Sequence, residues 1–141
     1  MTRNIVVTGG RSPRLHTAEA LDNVLGELVA RTGFEVLFEG GCKGTDAIAR
    51  EWAIKKGVHV ETVRARWKEF GVSAGPRRNQ EMLEIAEPIA VVVFPGGKGT
   101  DDCERRARKM GLRVVVVTFL PGHICSVDWA GIPRVEAQVP A

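Results

Sequence analysis

The chain has no tyrosine at all, and its few phenylalanines and tryptophans bring aromatic content to only 6%. A surface that holds single-stranded nucleic acid by base stacking interleaves aromatic with basic side chains; here the basic residues are spread along the chain without that company. Long apolar runs are missing as well. None approaches the roughly 18 consecutive apolar residues of a membrane-spanning helix, and the N-terminus passes at once into a strand-like run, so neither a membrane anchor nor a secretory leader is expected. Cys42, Cys103 and Cys125 are odd in number and widely spaced, which excludes a disulfide framework and a paired metal-ligand pattern. His16, His59 and His123 have no Cys or His partner at metal-binding spacing. No metal and no cofactor are therefore assigned, the cysteines are read as reduced thiols, and the cytoplasm is the expected location.

What is present suits one globular domain. The 141 residues are 44% hydrophobic and 26% charged, enough to bury an ordinary core. A net charge of +3 and a pI near 9.0 admit anionic partners from small nucleotides to nucleic acid, the latter not favoured.

One motif occurs twice, as Gly40-Gly41-Cys42-Lys43-Gly44-Thr45-Asp46 and as Gly96-Gly97-Lys98-Gly99-Thr100-Asp101. Each copy follows an apolar run and opens a helix-like stretch. A glycine turn feeding a helix start offers unpaired N–H groups and the positive end of the helix dipole, a way to hold phosphate without many side chains. The spacing is neither that of a Walker P-loop nor that of the dinucleotide fingerprint.

The remaining pattern gives these turns a frame. Asn4 to Thr8, Phe34 to Phe38, Val58 to Val63, Ile89 to Phe94 and Leu112 to Phe119 read as strands. Thr17 to Arg31, with Ala18, Leu21, Val24, Leu25, Leu28 and Val29 at helical spacing, Thr45 to Lys56 before Gly57, and Thr100 to Met110 before Gly111 read as helices. Arg64 to Ala74 is expected to be a loop, and Pro76 to Ala86 a helix with Met82, Leu83 and Ile85 facing inward. Near the C-terminus an edge strand is expected at Pro133 to Val135. This alternation implies an α/β, Rossmann-like three-layer sandwich with a mostly parallel, doubly wound sheet of about five strands. Residues 1–120 form the domain, and residues 121–141 are its tail or edge strand. In such a sheet the Gly9-Gly10-Arg11, Gly40 and Gly96 turns all lie at the carboxyl ends of strands, where ligands bind.

Within those turns, Thr45 and Thr100 suit N-cap positions, and Asp46, Asp101 and Asp102 suit first turns of helices. An aspartate beside a phosphate is repulsive unless it faces a sugar hydroxyl, so Asp46 or Asp101 is expected near ribose. Arg77 and Arg78, in Gly75-Pro76-Arg77-Arg78-Asn79, place two cations at a helix start, which is reasonable when an anion lies between them and the dipole. Arg11 is a similar candidate. Trp67 either stacks on a base, seals the pocket or packs, Trp52 is assigned to the core, and Cys42 and Cys103 are read as small buried residues.

Phe94-Pro95-Gly96-Gly97-Lys98-Gly99-Thr100 resembles the P-G-G-x-G-T motif of the SLOG superfamily, which includes the LOG-type phosphoribohydrolases and the DNA-processing protein A family. Val7-Thr8-Gly9-Gly10-Arg11, the Gly40 turn, Trp67 and Gly75-Pro76-Arg77-Arg78-Asn79 with Met82 extend the resemblance to the small YspA-like branch. It implies a Rossmann-like fold, a pocket for a nucleotide or nucleotide derivative, and a homodimer or higher homo-oligomer. In the LOG-type enzymes an arginine and a glutamate act on the N-glycosidic bond of a nucleoside monophosphate. Arg78 matches the arginine, but the glutamate's place is taken by Cys103, between Asp102 and Glu104.

The leading expectation is thus binding of a phosphoribosyl-containing ligand. Its phosphate would rest on Gly96, Gly97, Lys98, Gly99 and Thr100, aided by Arg77, Arg78 and Asn79, with Gly9, Gly10, Arg11, Gly40, Gly41, Gly44, Thr45, Asp46 and Asp101 completing the site. The alternative is a phosphoribohydrolase using Arg78 with Asp102 or Glu104. Single-stranded DNA binding is a third reading.

Overall fold

A computed structural model describes residues 3–121, 124–129 and 131–132. The chain alternates strand and helix: β1 (Asn4–Thr8), α1 (Thr17–Thr32), β2 (Val36–Glu39), α2 (Thr45–Lys56), β3 (His59–Thr62), α3 (Trp67–Phe70), α4 (Ala74–Ala86), β4 (Ala90–Val93), α5 (Lys98–Lys109), β5 (Val114–Leu120) and β6 (Ile124–Asp128). The strands form one sheet in the order β3-β2-β1-β4-β5-β6, parallel except for β6.

The apolar strands are covered on both faces, as parallel strands must be. Successive side chains of β1 alternate between the two layers. Ile5 and Val7, with Ala90 and Val92 of β4, pack under Leu21, Leu25 and Leu28 of α1 and Trp52 of α2. Val6, Val91 and Val93 pack on the other face, under Met82 and Leu83 of α4 and Cys103 and Ala107 of α5. The chain winds from β1 to β3 in one direction and from β4 to β6 in the other, so the switch point falls between β1 and β4. There the strand ends are in register, with Thr8 opposite Val93. In a doubly wound sheet this is where a ligand crevice opens.

The expected class of fold is present, and five of the strands lie where periodicity places them. Strand β6 lies in a Pro- and Gly-containing stretch not read as a strand; the edge strand expected at Pro133 to Val135 lies outside the described residues. The Arg64 to Ala74 loop is a correction. Trp67–Phe70 forms a helical turn, Gly71–Ser73 a 3-10 turn, and α4 begins at Ala74. The Phe70, Ser73 and Arg77 side chains stitch this stretch: Ser73 Oγ donates to the Phe70 carbonyl and accepts from Arg77 Nε. Ile85 is 56% exposed because the buried stripe of α4 runs through Met82, Leu83 and Ala86. Ala18 and Val29 of α1 are likewise at the surface.

Helix α5 starts two residues before Thr100, with Gly97 as its N-cap, and α2 is preceded by Gly44. Neither threonine is therefore an N-cap. Each lies inside its helix and turns its side chain toward the neighbouring glycine turn. Thr45 Oγ1 donates to the Gly10 carbonyl at 3.0 Å, and Thr100 Oγ1 sits against Gly96.

Candidate functional site

Three strand-end turns are fastened together at the switch point. Gly10 N–H donates to the Pro95 carbonyl at 2.9 Å, Phe94 N–H to Thr8 at 2.9 Å, and Thr45 N–H to Gly10 at 3.0 Å. Side chains would not fit between them. A Cβ on Gly96 would lie 2.2 Å from Thr100 Oγ1 and 2.8 Å from the Gly10 nitrogen. Gly44 has φ of +84°, and a Cβ there would come within 2.6 Å of the Gly10 carbonyl oxygen.

Beside these turns, on the α4 and α5 side of the sheet, lies a cavity of about 500 Å³. Of the residues expected at the site, Gly9, Gly10, Arg11, Asp46, Arg78, Asn79, Gly97, Lys98, Gly99, Thr100 and Asp102 line it. Gly40, Gly41 and Gly44 are not among the residues that line it. Thr45 and Gly96 face an adjoining cavity. Asp101 is exposed on the first turn of α5. Arg77 points away, its guanidinium 4.3 Å from the Phe70 ring centroid. Glu104 is bonded to Arg108 at 3.0 Å and is not among the cavity residues.

The two glycine turns differ in what fills them. At the Gly40 turn the protein supplies its own anion: Asp46 Oδ2 accepts the Cys42 N–H at 3.2 Å, and Arg78 Nη1 donates to the Gly40 carbonyl. The turn is closed from within. At the Gly96 turn, α5 has no side-chain cap, and the first N–H groups of an α-helix have no partner inside it. A Cβ on Gly97 or Gly99 would meet nothing within 4 Å. Neither has a positive φ. Protein packing does not require glycine at these two positions, which open on the cavity.

Charge around the cavity is uneven. Burial pushes Asp46 up to about 6; the nearby Glu39 adds to the rise, while the Cys42 N–H, Arg78 and the Gly40 N–H oppose it. Glu39 closes β2, is fully buried, and accepts the Gly41 N–H at 3.0 Å through Oε1. Its Oε2 is buried with no hydrogen-bond partner among the described residues. Asp102 is held in the opposite direction. Burial alone would raise it, but hydrogen bonds from Arg106 and Asn79 and the charges of Arg106 and Arg105 outweigh that and lower its pKa. A carboxylate so satisfied is a poor proton donor.

Arg78 lies under the cavity, donating through Nε to Asn79 Oδ1 at 3.0 Å and approaching Cys42 Sγ at 3.9 Å through Nη2. Arg11 Nη2 approaches the same sulfur at 3.9 Å. Cys42 is thus half-buried at the cavity wall, where the sequence suggested a buried filler. Cys103 is buried as expected. Its thiol is pushed up to about 11, chiefly by burial, so the position that matches the LOG-type glutamate carries no ionised group. Trp67, 48% exposed, lines the cavity with Val72 and faces Arg11, whose guanidinium carbon is 5.8 Å from its ring centroid.

Sequence reasoning missed Thr8, Val72 and Glu39. The signal for Glu39 was its place at the end of β2 on the functional edge, which the apolar run before it obscured. Among the described residues no cluster of His, Cys, Asp and Glu is placed to hold a metal, and no helix is long and apolar enough to cross a membrane.

A doubly wound sheet with glycine turns converging on a crevice at its switch point defines a Rossmann-like α/β fold. Residues 3–70 match the model of the family described as YAcAr: YspA, cpYpsA-related SLOG family. Over those residues, just under half of the chain, it is similar to the YspA-like branch of the SLOG superfamily that its motifs resemble. The fold is similar to that of DNA processing protein A from Streptococcus pneumoniae, with a TM-score of 0.66 at 17% identity over 86% of this chain and 52% of that one. It is also similar to the X-ray structure of TM1055, with a TM-score of 0.62 at 22% identity over 87% of this chain and 76% of that one. At these identities the likeness is one of fold. This chain spans about half the length of the DNA processing protein. No curated protein matches it.

Proposed function

We propose that the cavity binds a phosphoribosyl-containing nucleotide or nucleotide derivative, with its phosphate on the N-terminus of α5. The observation that carries this reading is the pair Gly97 and Gly99. Both are bare toward the cavity, neither is explained by packing or backbone conformation, and both sit where unpaired N–H groups and the helix dipole favour an anion. Lys98, on the same turn, lines the cavity and adds positive charge. Ribose would lie toward Asp46, whose carboxylate accepts hydroxyl protons, with Arg78 beneath it. The base would lie toward Trp67, whose ring lines the cavity.

Binding is favoured over N-glycosidic cleavage. Asp102 spends its oxygens on Asn79, Arg105 and Arg106, and Glu104 is paired with Arg108 outside the cavity. Neither is free to stabilise a developing ribosyl cation. The protein would act as a nucleotide sensor or processing factor in the cytoplasm.

The test is a thermal-shift and calorimetric screen of nucleoside 5′-monophosphates, ADP-ribose, NAD and cyclic nucleotides against the wild type and Gly97→Val. Ligand at about 100 times its Kd stabilises the folded state by about 2.7 kcal/mol. Gly97→Val, in open space, is expected to melt as the wild type does and to lose at least about tenfold in affinity, about 1.4 kcal/mol. Unchanged affinity in this variant, or no shift with any compound, would sink the reading. Thr100 is a poor probe because it is buried against Gly96.

A further inference from the structure

The cavity beside α4 and α5 continues past the β1 and β4 turns. A second cavity of about 370 Å³ opens on their far side and shares Gly10, Arg11 and Gly97 with the first. Its walls include Ser12, Arg14, Phe94 and Phe119, and among the described residues no aspartate or glutamate lines it. The first cavity, in contrast, contains Asp46 and Asp102.

The cations of the second lobe are not spent on carboxylates. The Arg14 guanidinium carbon lies 5.9 Å from the Phe119 ring centroid. Among the described residues Arg11 reaches Trp67 and the Cys42 sulfur. Neither arginine forms an ion pair among the described residues. Two unpaired guanidinium groups at an acid-free cavity suit an anion, and the planar fork suits phosphate oxygens. The saddle between the lobes is formed by Gly10, Gly97 and Arg11, so the one side chain on it is a guanidinium that a phosphate crossing there would face.

We infer that the two cavities form one two-lobed site for a ligand carrying a diphosphate, its first phosphate on α5 and its second held by Arg11 and Arg14. The inference rests on the nucleotide reading above and narrows it. A nucleoside monophosphate fills only the first lobe. A nucleoside diphosphate or a diphosphate-bridged molecule such as ADP-ribose crosses the saddle.

Titration calorimetry of AMP, ADP and ADP-ribose against the wild type, Arg14→Ala and Gly97→Val tests this. The wild type is expected to bind ADP or ADP-ribose at least about tenfold tighter than AMP, a difference of about 1.4 kcal/mol. Whichever of the two binds tighter tells whether the lobe takes a terminal or a bridged phosphate. Arg14→Ala is expected to keep its AMP affinity and melting temperature while losing most of the diphosphate gain. Equal affinity of the wild type for all three compounds overturns the inference, as does an Arg14→Ala variant that weakens AMP and the diphosphates alike. If either of these outcomes is seen while Gly97→Val still abolishes AMP binding, the phosphate site stands and only the two-lobed site falls. If no compound binds the wild type, both readings fall together.

Discussion

Asn79 on α4 donates through Nδ2 to Asp102 Oδ2 on α5 at 3.0 Å, and the same nitrogen reaches the Gly99 carbonyl at 3.1 Å. One buried amide thus fixes the first turn of α5 against α4 and sets the height at which Gly97 and Gly99 meet the cavity. Asn79→Ala removes the donor and takes one bond each from the buried Asp102 carboxylate, which keeps Arg105 and Arg106, and from the Gly99 carbonyl, which costs about 1 kcal/mol. Urea unfolding is expected to show that loss as a lower midpoint at unchanged slope. Asn79→Asp, facing Asp102 with a second carboxylate, is expected to lose more at neutral pH and to recover as acid protonates one of the pair. An Asn79→Ala midpoint equal to that of the wild type would show that the bond does not hold the helix.

The glycines of the second turn are expected to separate stability from binding. Gly96→Ala forces its Cβ to within 2.2 Å of Thr100 Oγ1 and 2.8 Å of the Gly10 nitrogen. Overpacking of this kind costs about 1–3 kcal/mol. Gly99→Ala meets no atom and replaces glycine within a helix, so it is expected to raise stability by up to about 1 kcal/mol. It also puts a methyl group where ligand is proposed to lie, and nucleotide affinity is expected to fall. Chemical denaturation and calorimetry on the two variants check both signs. A Gly99→Ala protein that binds as well as the wild type counts against phosphate at this turn.

The sheet and the site edge were legible because their causes are local. Apolar runs such as Ile89 to Phe94 and helical spacing such as Leu21, Leu25 and Leu28 fix the two layers, and strand-end glycines mark the edge of the sheet where the cavity opens. What stayed illegible depends on contacts distant in sequence. Nothing near Gly40 announces that Asp46 and Arg78 close that turn from within. Nothing in Arg77-Arg78 says which arginine turns inward. That choice is made by Phe70 and Ser73, in a stretch whose helical turns were hidden by a short sequence with little periodicity. Strand β6 has no parallel-sheet signature because it is an antiparallel edge, with Cys125, Val127 and Trp129 only half-buried.

The two adjacent arginines give a sharp contrast. Arg77 lies over the Phe70 ring and donates to Ser73 at 3.2 Å, whereas Arg78 lines the cavity and bridges to Gly40. Arg77→Ala is expected to leave nucleotide affinity within about twofold of the wild type, at a small cost in stability from the lost cation–π contact. Arg78→Lys keeps the charge near Asp46 but loses the planar fork. Its affinity is expected to fall at least about tenfold, about 1.4 kcal/mol. Binding curves for the two variants settle the assignment, and equal effects of the two would refute it.

Asp46 makes the site sensitive to mild acid, and the sign follows from its raised pKa. Its ordinary value is 3.8 and burial pushes it up to about 6. Between these values the folded chain keeps a proton that the unfolded chain has released. Stability contributed through Asp46 therefore falls as pH rises across that window, and the loss is complete above it. Each unit of pKa is worth about 1.4 kcal/mol, so the ceiling is about 3 kcal/mol. Asp46→Asn does not titrate, and the stability of this variant relative to the wild type is expected to grow from about pH 4 to about pH 6 and then level off. Urea unfolding across that range measures the difference. A flat difference would mean that Asp46 is solvated rather than buried. If ribose hydroxyls donate to the Asp46 carboxylate, nucleotide affinity should follow the same ionisation, tightening as pH rises through about 6 and losing that dependence in Asp46→Asn.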